Sequence, residues 1–507
     1  MNLQRLSYWL LVAISLAYFA FPNARLDFTP YNSHDSESYM AISTNLLEGR
    51  GYTRSLNEGE FIPHTLWPPG MAVLLMPAIA ASDDGVNLLL VKLTIITIAV
   101  IGAWLTRWYL LLLGLSRTVA NLITVFILLN PYYWHFSRIA MAEMPTYTWL
   151  ILSLSLIHIT FTRPKTLVIT GCCGLIAGLG MMIKGALLGV PLAILPYLWR
   201  QGLFTRSSIS RGLVFGAAFC LPFLLWMARN SHIDTQSLGL DGVNQVQMIT
   251  KKVIEDPNSE FKTAGEIIQT AKQNVLWHGI YHVPNHVIPA VRFIDITAIL
   301  LGNILALGLT ALVFVVIGLQ YSRFMPVILC TVPTFAIVIV MTIGGAERYW
   351  FSLMSIFLMV VYAAPFTLLK NEKSTKRLVS VLLLLQSLSL SVFIYNHQSQ
   401  PYTSIEHRDD LASLFSVMQS FCEQHDFQKS NVWTINNHAL QLTTPCKASM
   451  VNAAIGVNPV FDYAVLDKQK LLNPADSSII DTGGNFILIA LPVPMTQQEI
   501  QATYYDW

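Results

Sequence analysis

Charge is scarce in this sequence. Only 12% of its 507 residues are Asp, Glu, Lys or Arg, about half the quarter typical of soluble domains. That shortage excludes an ordinary solvated globule, and the 54% hydrophobic content points to lipid as the main solvent. A net charge of +2 leaves no clustered basic footprint of the kind nucleic-acid binding needs, so no nucleic-acid partner is expected. Cysteine is also sparse. Of the six, Cys172, Cys173, Cys220 and Cys330 lie within apolar runs and read as small buried side chains. Cys422 and Cys446 lie instead in a polar tail, where they form a disulfide if that tail faces an oxidising compartment. There is no tandem repeat and no low-complexity segment.

What is present is a series of long apolar runs. A bilayer core needs about 20 apolar residues per helix. Runs near that length fall at residues 6–22, 87–108, 118–134, 144–161, 166–183, 185–199, 212–228, 296–319, 324–344, 348–369 and 377–395, which predicts about eleven transmembrane helices. The first reads as an uncleaved anchor, because Tyr8, Trp9, Tyr18 and Phe19 interrupt a signal-peptide pattern and Phe21-Pro22-Asn23 is a poor cleavage site. Residues 67–81 are apolar but short and open on Pro68-Pro69-Gly70, which suggests an interfacial or re-entrant segment.

With the amino terminus inside, Arg5, Arg117, Arg163, Lys165, Arg200, Arg206, Arg211, Arg323 and the group Lys370, Lys373, Lys376 and Arg377 all fall on the cytoplasmic side. Residues 23–86, 229–295 and 396–507 are then external. The chain divides into a transmembrane domain, 1–395, and a soluble extracytoplasmic domain, 396–507. In the latter a helical stretch at 407–425 precedes strand-like runs at 431–435, 462–466 and 486–491, the pattern of a small α/β unit.

Ionisable residues at membrane depth are costly and mark functional positions. Asp35 with Glu37, Glu143, Lys184, Arg229-Asn230 and Glu347-Arg348 all fall at the outer ends of helices or in outer loops. Singly, each reads equally as a helix-end charge that snorkels to the interface. Together they suit one chemistry. Cationic side chains hold a phosphate by charge-assisted hydrogen bonds, and a nearby carboxylate accepts the proton of an attacking hydroxyl or amine. Charge developing on the leaving phosphate is stabilised by the same cations. This is glycosyl transfer from a lipid-phosphate sugar.

The segments His34-Asp35-Ser36-Glu37-Ser38-Tyr39, Asn45-Leu46-Leu47-Glu48-Gly49-Arg50-Gly51-Tyr52-Thr53 and Leu66-Trp67-Pro68-Pro69-Gly70 resemble the first external loop of GT-C-fold glycosyltransferases. Within that fold they look most like the bacterial protein-mannosyltransferase and aminoarabinose-transferase-like family. Ala142-Glu143-Met144-Pro145, Met182-Ile183-Lys184, Trp226-Met227-Ala228-Arg229-Asn230 and Glu347-Arg348-Tyr349 follow in the family's order. The resemblance covers roughly residues 1–370. It implies a polytopic all-α membrane enzyme of the bacterial inner membrane, with its site and tail on the periplasmic side. Its substrates would be a polyprenyl-phosphate sugar donor and a lipid, glycan or protein acceptor, with membrane lipids around it. Asp35 would be the catalytic carboxylate and Glu143 would support base or acceptor. Lys184, Arg229 and Arg348 would hold donor phosphate, and Glu37, Tyr39 and Tyr349 would complete the substrate-binding set. Residues 37–50 would form an interfacial helix. No cofactor is implied, and no divalent metal is required. Lys184 departs from the family's frequent Arg, keeping the charge while losing the bidentate fork.

His278, His282 and His286 recur at helical spacing, but Pro284-Asn285 is expected to interrupt any helix there, so a metal site is not favoured. Gly171, Gly174, Gly178 and Gly180 suit close helix packing better than a nucleotide loop. A transporter or flippase would place its charges at the midplane and often carry internal repeats. A sensor or scaffold would explain the tail and leave the first loop idle.

Overall fold

In a computed structural model of the chain, the described residues are 3–20, 34–55, 61–82, 86–163, 166–201, 205–233, 250–252, 259–289, 300–340, 347–369, 371–399 and four strands between 432 and 496. The helices are α1 (Leu3–Ala20), α2 (His34–Leu47), α3 (Gly70–Ala80), α4 (Leu88–Leu112), α5 (Arg117–Leu128), α6 (Pro131–Phe136), α7 (Glu143–Thr162), α8 (Leu167–Leu179), α9 (Leu195–Gln201) and α10 (Arg206–Ser231). They continue with α11 (Ala264–Trp277), α12 (Val283–Val287), α13 (Leu300–Leu319), α14 (Tyr321–Val340), α15 (Glu347–Leu368) and α16 (Glu372–Ser399). Asn87, Ser116, Thr166, Thr205 and Thr263 each accept a backbone N–H at a helix start, satisfying donors that the first turn leaves open.

Among the described residues, seven helices are long and apolar enough to cross a membrane. Of the remaining expected spans, 348–369 falls on the 22-residue α15, and the others are helical but shorter or broken. The run at 118–134 is split because Asn130 caps a new helix at Tyr132 N and Pro131 occupies its first turn. The run at 185–199 is a 3-10 helix over Gly185–Ile194 followed by α9. A 3-10 helix rises about 2 Å per residue, so this short run together with α9 still extends about 30 Å, a bilayer core. Residues 67–81 yield the eleven-residue α3, which is too short to cross.

Polar side chains tie the apolar helices to one another. Tyr18 Oη donates to Leu128 O at 2.6 Å, Asn121 Nδ2 to Ser7 Oγ at 3.1 Å, and Thr106 and Tyr147 share a 2.6 Å hydrogen bond. In a lipid-surrounded bundle such contacts and close backbone packing replace the hydrophobic effect as the glue. The glycine series acts as expected: a Cβ at Gly178 would collide with Phe219 O, and one at Gly174 would lie 2.5 Å from Phe215 O, so α8 and α10 touch backbone to backbone.

Pro284 does not break the helix, contrary to expectation. The chain passes from α11 through a π turn at His278–His282 into α12, where Pro284 sits in the first turn and needs no N–H partner. His286 stacks on Tyr132 at 4.1 Å, Trp277 Nε1 donates to His282 Nε2 at 3.1 Å, and Asn130 Nδ2 donates to His286 O at 2.8 Å. These histidines pack and hydrogen-bond within the bundle.

In the tail, β1 (Val432–Trp433), β2 (Val460–Asp467), β3 (Ser478–Gly483) and β4 (Phe486–Thr496) form one sheet in the order β1-β2-β4-β3. β1 runs parallel to β2, and β4 is antiparallel to both its neighbours. Three strands fall on the expected runs, and β3 is an addition. The expected helix at 407–425 and the Cys422–Cys446 pair lie outside the described residues.

Candidate active site

The segment from α2 to α3, the first loop of the sequence reading, is built around buried polar residues. α2, on the stretch where an interfacial helix was expected, is largely buried against the rest of the protein, with Tyr39, Met40, Ile42 and Ser43 at most 4% exposed. Ser43 Oγ donates to Ala72 O at 2.7 Å and locks α2 to α3. Asn45 Nδ2 donates to Thr53 O and Ser55 O at 2.8 and 2.7 Å, folding the loop back on the helix that precedes it. Gly49 and Gly51 supply the positive φ values, 73° and 90°, that turn the chain there.

His64 is fully buried at the loop's centre, where Nε2 accepts from Trp67 N at 3.1 Å. Tyr52 Oη donates to Trp67 O at 2.7 Å, and burial pushes the phenol's pKa up, keeping it a donor. Tyr39 packs on Trp67 with ring centroids 5.4 Å apart, and Asp35 stands one turn before Tyr39 on α2, half-buried. An acid in a helix's first turn also faces the positive end of the helix dipole.

Arg229 and Asn230, at the end of α10, grip this loop from outside. Arg229 Nη1 donates to His64 O at 2.6 Å and to Asn230 Oδ1 at 2.8 Å, while Asn230 Nδ2 donates to Thr65 O at 3.2 Å. The guanidinium lies 4.9 Å from the Trp226 ring and 5.4 Å from that of Tyr52, within cation–π range. The Trp-x-x-Arg-Asn motif thus holds the first loop through backbone carbonyls. Among the described residues, Nη1 is the guanidinium nitrogen so engaged.

The second half of the site forms where the loop meets the break between α8 and the following 3-10 helix. A Cβ on Gly70 would lie 2.5 Å from Met182 O, so the Trp67-Pro68-Pro69-Gly70 turn rests directly on the backbone that carries Lys184. Lys184 is extended, φ −157° and ψ 133°, between two 3-10 segments. Its Nζ lies 2.8 Å from Glu143 Oε1, where Glu143 opens α7. The Glu143 side chain is 3% exposed and that of Lys184 is 22% exposed. Among the described residues, Glu143 Oε2 is buried without a hydrogen-bond partner. Ser352 Oγ donates to Glu143 O at 3.3 Å, bringing the second turn of α15 to the same place.

The structure therefore joins Glu143 directly to Lys184, and Arg229 to the loop that follows Asp35. Arg348 lies four positions before Ser352 on α15; its side chain and those of Glu37 and Tyr349 lie outside the described residues. Sequence reading gave no site role to Tyr52, which it placed within the first-loop motif, to His64, or to Ser352, although a histidine beside Trp-Pro-Pro-Gly was a visible signal.

The chain is a multi-pass, mostly helical membrane protein with the GT-C fold. Among solved structures it is similar to ArnT from Cupriavidus metallidurans bound to undecaprenyl phosphate, with a TM-score of 0.58, 12% identity and coverage of 95% of this chain and 97% of that one. The apo state of ArnT gives a TM-score of 0.58 at 11% identity with the same coverage. The oligosaccharyltransferase of Archaeoglobus fulgidus, tethered to an acceptor peptide, gives a TM-score of 0.45 at 10% identity, covering 91% of this chain and 69% of that one. No protein-family model and no curated protein sequence matches the chain.

Proposed function

We propose that the protein is a membrane glycosyltransferase that moves a sugar from a polyprenyl-phosphate donor to an acceptor on the external face of the bacterial inner membrane. The observation that carries this reading is the part-buried Glu143–Lys184 pair, set at a break in the helical backbone and reached by a structured, carboxylate-bearing first loop. Non-helical backbone at membrane depth persists where it is buried in protein or lines a cavity. The likeness to ArnT in its undecaprenyl-phosphate complex supports the same class of donor.

In the proposed step Asp35 takes the proton of the acceptor hydroxyl or amine as that atom attacks the anomeric carbon. The bond from that carbon to the phosphate oxygen breaks, the electron pair leaves with the lipid phosphate, and configuration inverts. Lys184 and Arg348 are the proposed phosphate ligands. Arg229 spends one nitrogen on the His64 carbonyl and offers its remaining N–H edge to the phosphate. Glu143 keeps Lys184 in place before the donor arrives. A lipid carrier accounts for a site on a face where soluble nucleotide sugars are not supplied, and the chemistry needs no metal cofactor.

Mass spectrometry of envelope lipids and glycans from a strain lacking the protein tests this reading. Loss of one glycosylated product, with its unmodified acceptor accumulating, is expected. An unchanged envelope profile contradicts it and favours transport or sensing.

A further inference from the structure

A second cationic site lies far from Glu143 and Lys184. The amino-terminal end of α1, the last turns of α4 and the start of α5 enclose a cleft of about 260 Å³ whose lining includes Arg5, Tyr8, Trp9, Arg107, Arg117 and Asn121. Three of these are arginines, and among the described residues no acidic side chain lines the cleft. Arg107 is fixed in place: Nε donates to Asn121 Oδ1 at 2.7 Å, and Asn121, 1% exposed, is itself anchored to Ser7 Oγ at 3.1 Å. The Arg107 guanidinium sits 5.7 Å from the Trp104 ring and 6.0 Å from that of Tyr8. Arg5 and Arg117 bring further positive charge to the same cleft lining as Arg107. Holding like charges together around a cleft is unfavourable unless an anion joins them.

The position selects the kind of anion. Ser7 pairs with Asn121 and Tyr18 with Leu128, so α1 and α5 run side by side in the same direction. The cleft lies at the Arg117 end of α5, and the chain reaches Glu143 only from the Leu128 end, about 18 Å away along the axis. Around the cleft Trp9 is 59% exposed, Leu6 48% and Leu10 37%, an apolar surface that a membrane covers. Aromatic residues beside arginines at a helix end are the arrangement that seats side chains at the level of lipid headgroups.

We propose that this cleft binds the phosphate-bearing headgroup of an anionic phospholipid, with its acyl chains along the exposed face of α1. The Arg107 fork and the Arg5 and Arg117 charges hold the phosphate, and Trp9 packs on the glycerol region. In the orientation read from the loops this is the cytoplasmic leaflet, opposite the proposed transfer site, and the inference stands whether or not that site transfers sugar.

The test uses the purified full-length protein in neutral detergent. Its thermal unfolding midpoint is followed on adding dioleoyl phosphatidylglycerol, dioleoyl phosphatidylcholine or inorganic phosphate, and bound lipid is counted by native mass spectrometry. Phosphatidylglycerol is expected to raise the midpoint and to remain bound, while phosphatidylcholine does neither. Arg5→Gln with Arg117→Gln alters only exposed side chains, so the variant folds; each lost charge is expected to weaken phosphatidylglycerol binding about fivefold. Arg107→Gln removes the anchored fork and is expected to weaken it about tenfold or more. Equal responses to the two lipids, or full phosphatidylglycerol binding by the Arg5→Gln/Arg117→Gln protein, would overturn the proposal. So would inorganic phosphate alone reproducing the whole shift, which would make the cleft a site for soluble anions.

Discussion

Lys184 and Glu143 meet at 2.8 Å because two interruptions of the helical backbone face each other: the extended residue between two 3-10 segments, and the start of α7. Removing one partner of a buried pair strands the other charge, at a cost of about 3–5 kcal/mol, whereas removing both is far cheaper. Lys184→Met and Glu143→Gln should each lower the unfolding midpoint clearly, and the double variant should fall by less than their sum. Strict additivity in that cycle would mean that the two do not interact in the folded protein.

Arg229 fixes the His64 carbonyl through a single guanidinium nitrogen. Arg229→Lys keeps the charge and loses the planar fork and its stacking on Trp226 and Tyr52. A hydrogen bond to a charged group contributes about 1.5–3 kcal/mol, so hydrogen exchange at the His64 and Trp67 amides should speed about tenfold or more. Unchanged protection there would show that the loop is held without Arg229.

Gly70 permits the contact between the first loop and the backbone ahead of Lys184. Gly70→Ala forces that backbone to shift and should cost about 1–3 kcal/mol. Gly216, on α10, has open space where its Cβ would stand, and Gly216→Ala serves as the control. It should be neutral or stabilising by about 0.5–1 kcal/mol. Thermal unfolding of both variants checks the pair, and equal behaviour would refute the close approach.

The helix α11 carries a pH-dependent cap. Glu266 Oε2 accepts from Thr263 N at 2.7 Å and from Thr263 Oγ1 at 2.8 Å, and these bonds hold its carboxyl pKa below the usual value. A depressed carboxylate pKa contributes stability above the unfolded-state pKa, and that contribution disappears as pH falls through the folded-state value. The first-turn amides of α11 should therefore lose protection on acidification, after correction for intrinsic exchange. Glu266→Gln should remove that pH dependence, and its persistence would assign it to another group.

Much of this was legible in the sequence, for identifiable reasons. The membrane spans were legible because long apolar runs mark them, and the runs at 6–22, 87–108, 144–161, 212–228, 296–319, 324–344 and 377–395 fall on helices long and apolar enough to cross a membrane. The clustering of Glu143 with Lys184 followed from both falling at helix ends on one face. The π turn at His278–His282 was not legible, because Pro284 is a helix breaker only when its ring and missing N–H fall inside a continuing α-helix. The grip of Arg229 on a backbone carbonyl was equally hidden, since a carbonyl carries no residue signature. Arg107 escaped notice because it sits within the apolar span of α4 and gains its meaning only from Arg5 and Arg117, on other helices.

The central claim is that Asp35 is the base of a sugar transfer fed by a polyprenyl-phosphate donor. The most direct measurement is restoration of the missing envelope product in a deletion strain by wild-type protein and by Asp35→Asn, with membrane insertion and unfolding midpoint matched. Wild-type protein should restore the product, and Asp35→Asn should reduce it by about a hundredfold or more, the scale of a lost general base. Full restoration by Asp35→Asn would contradict the account.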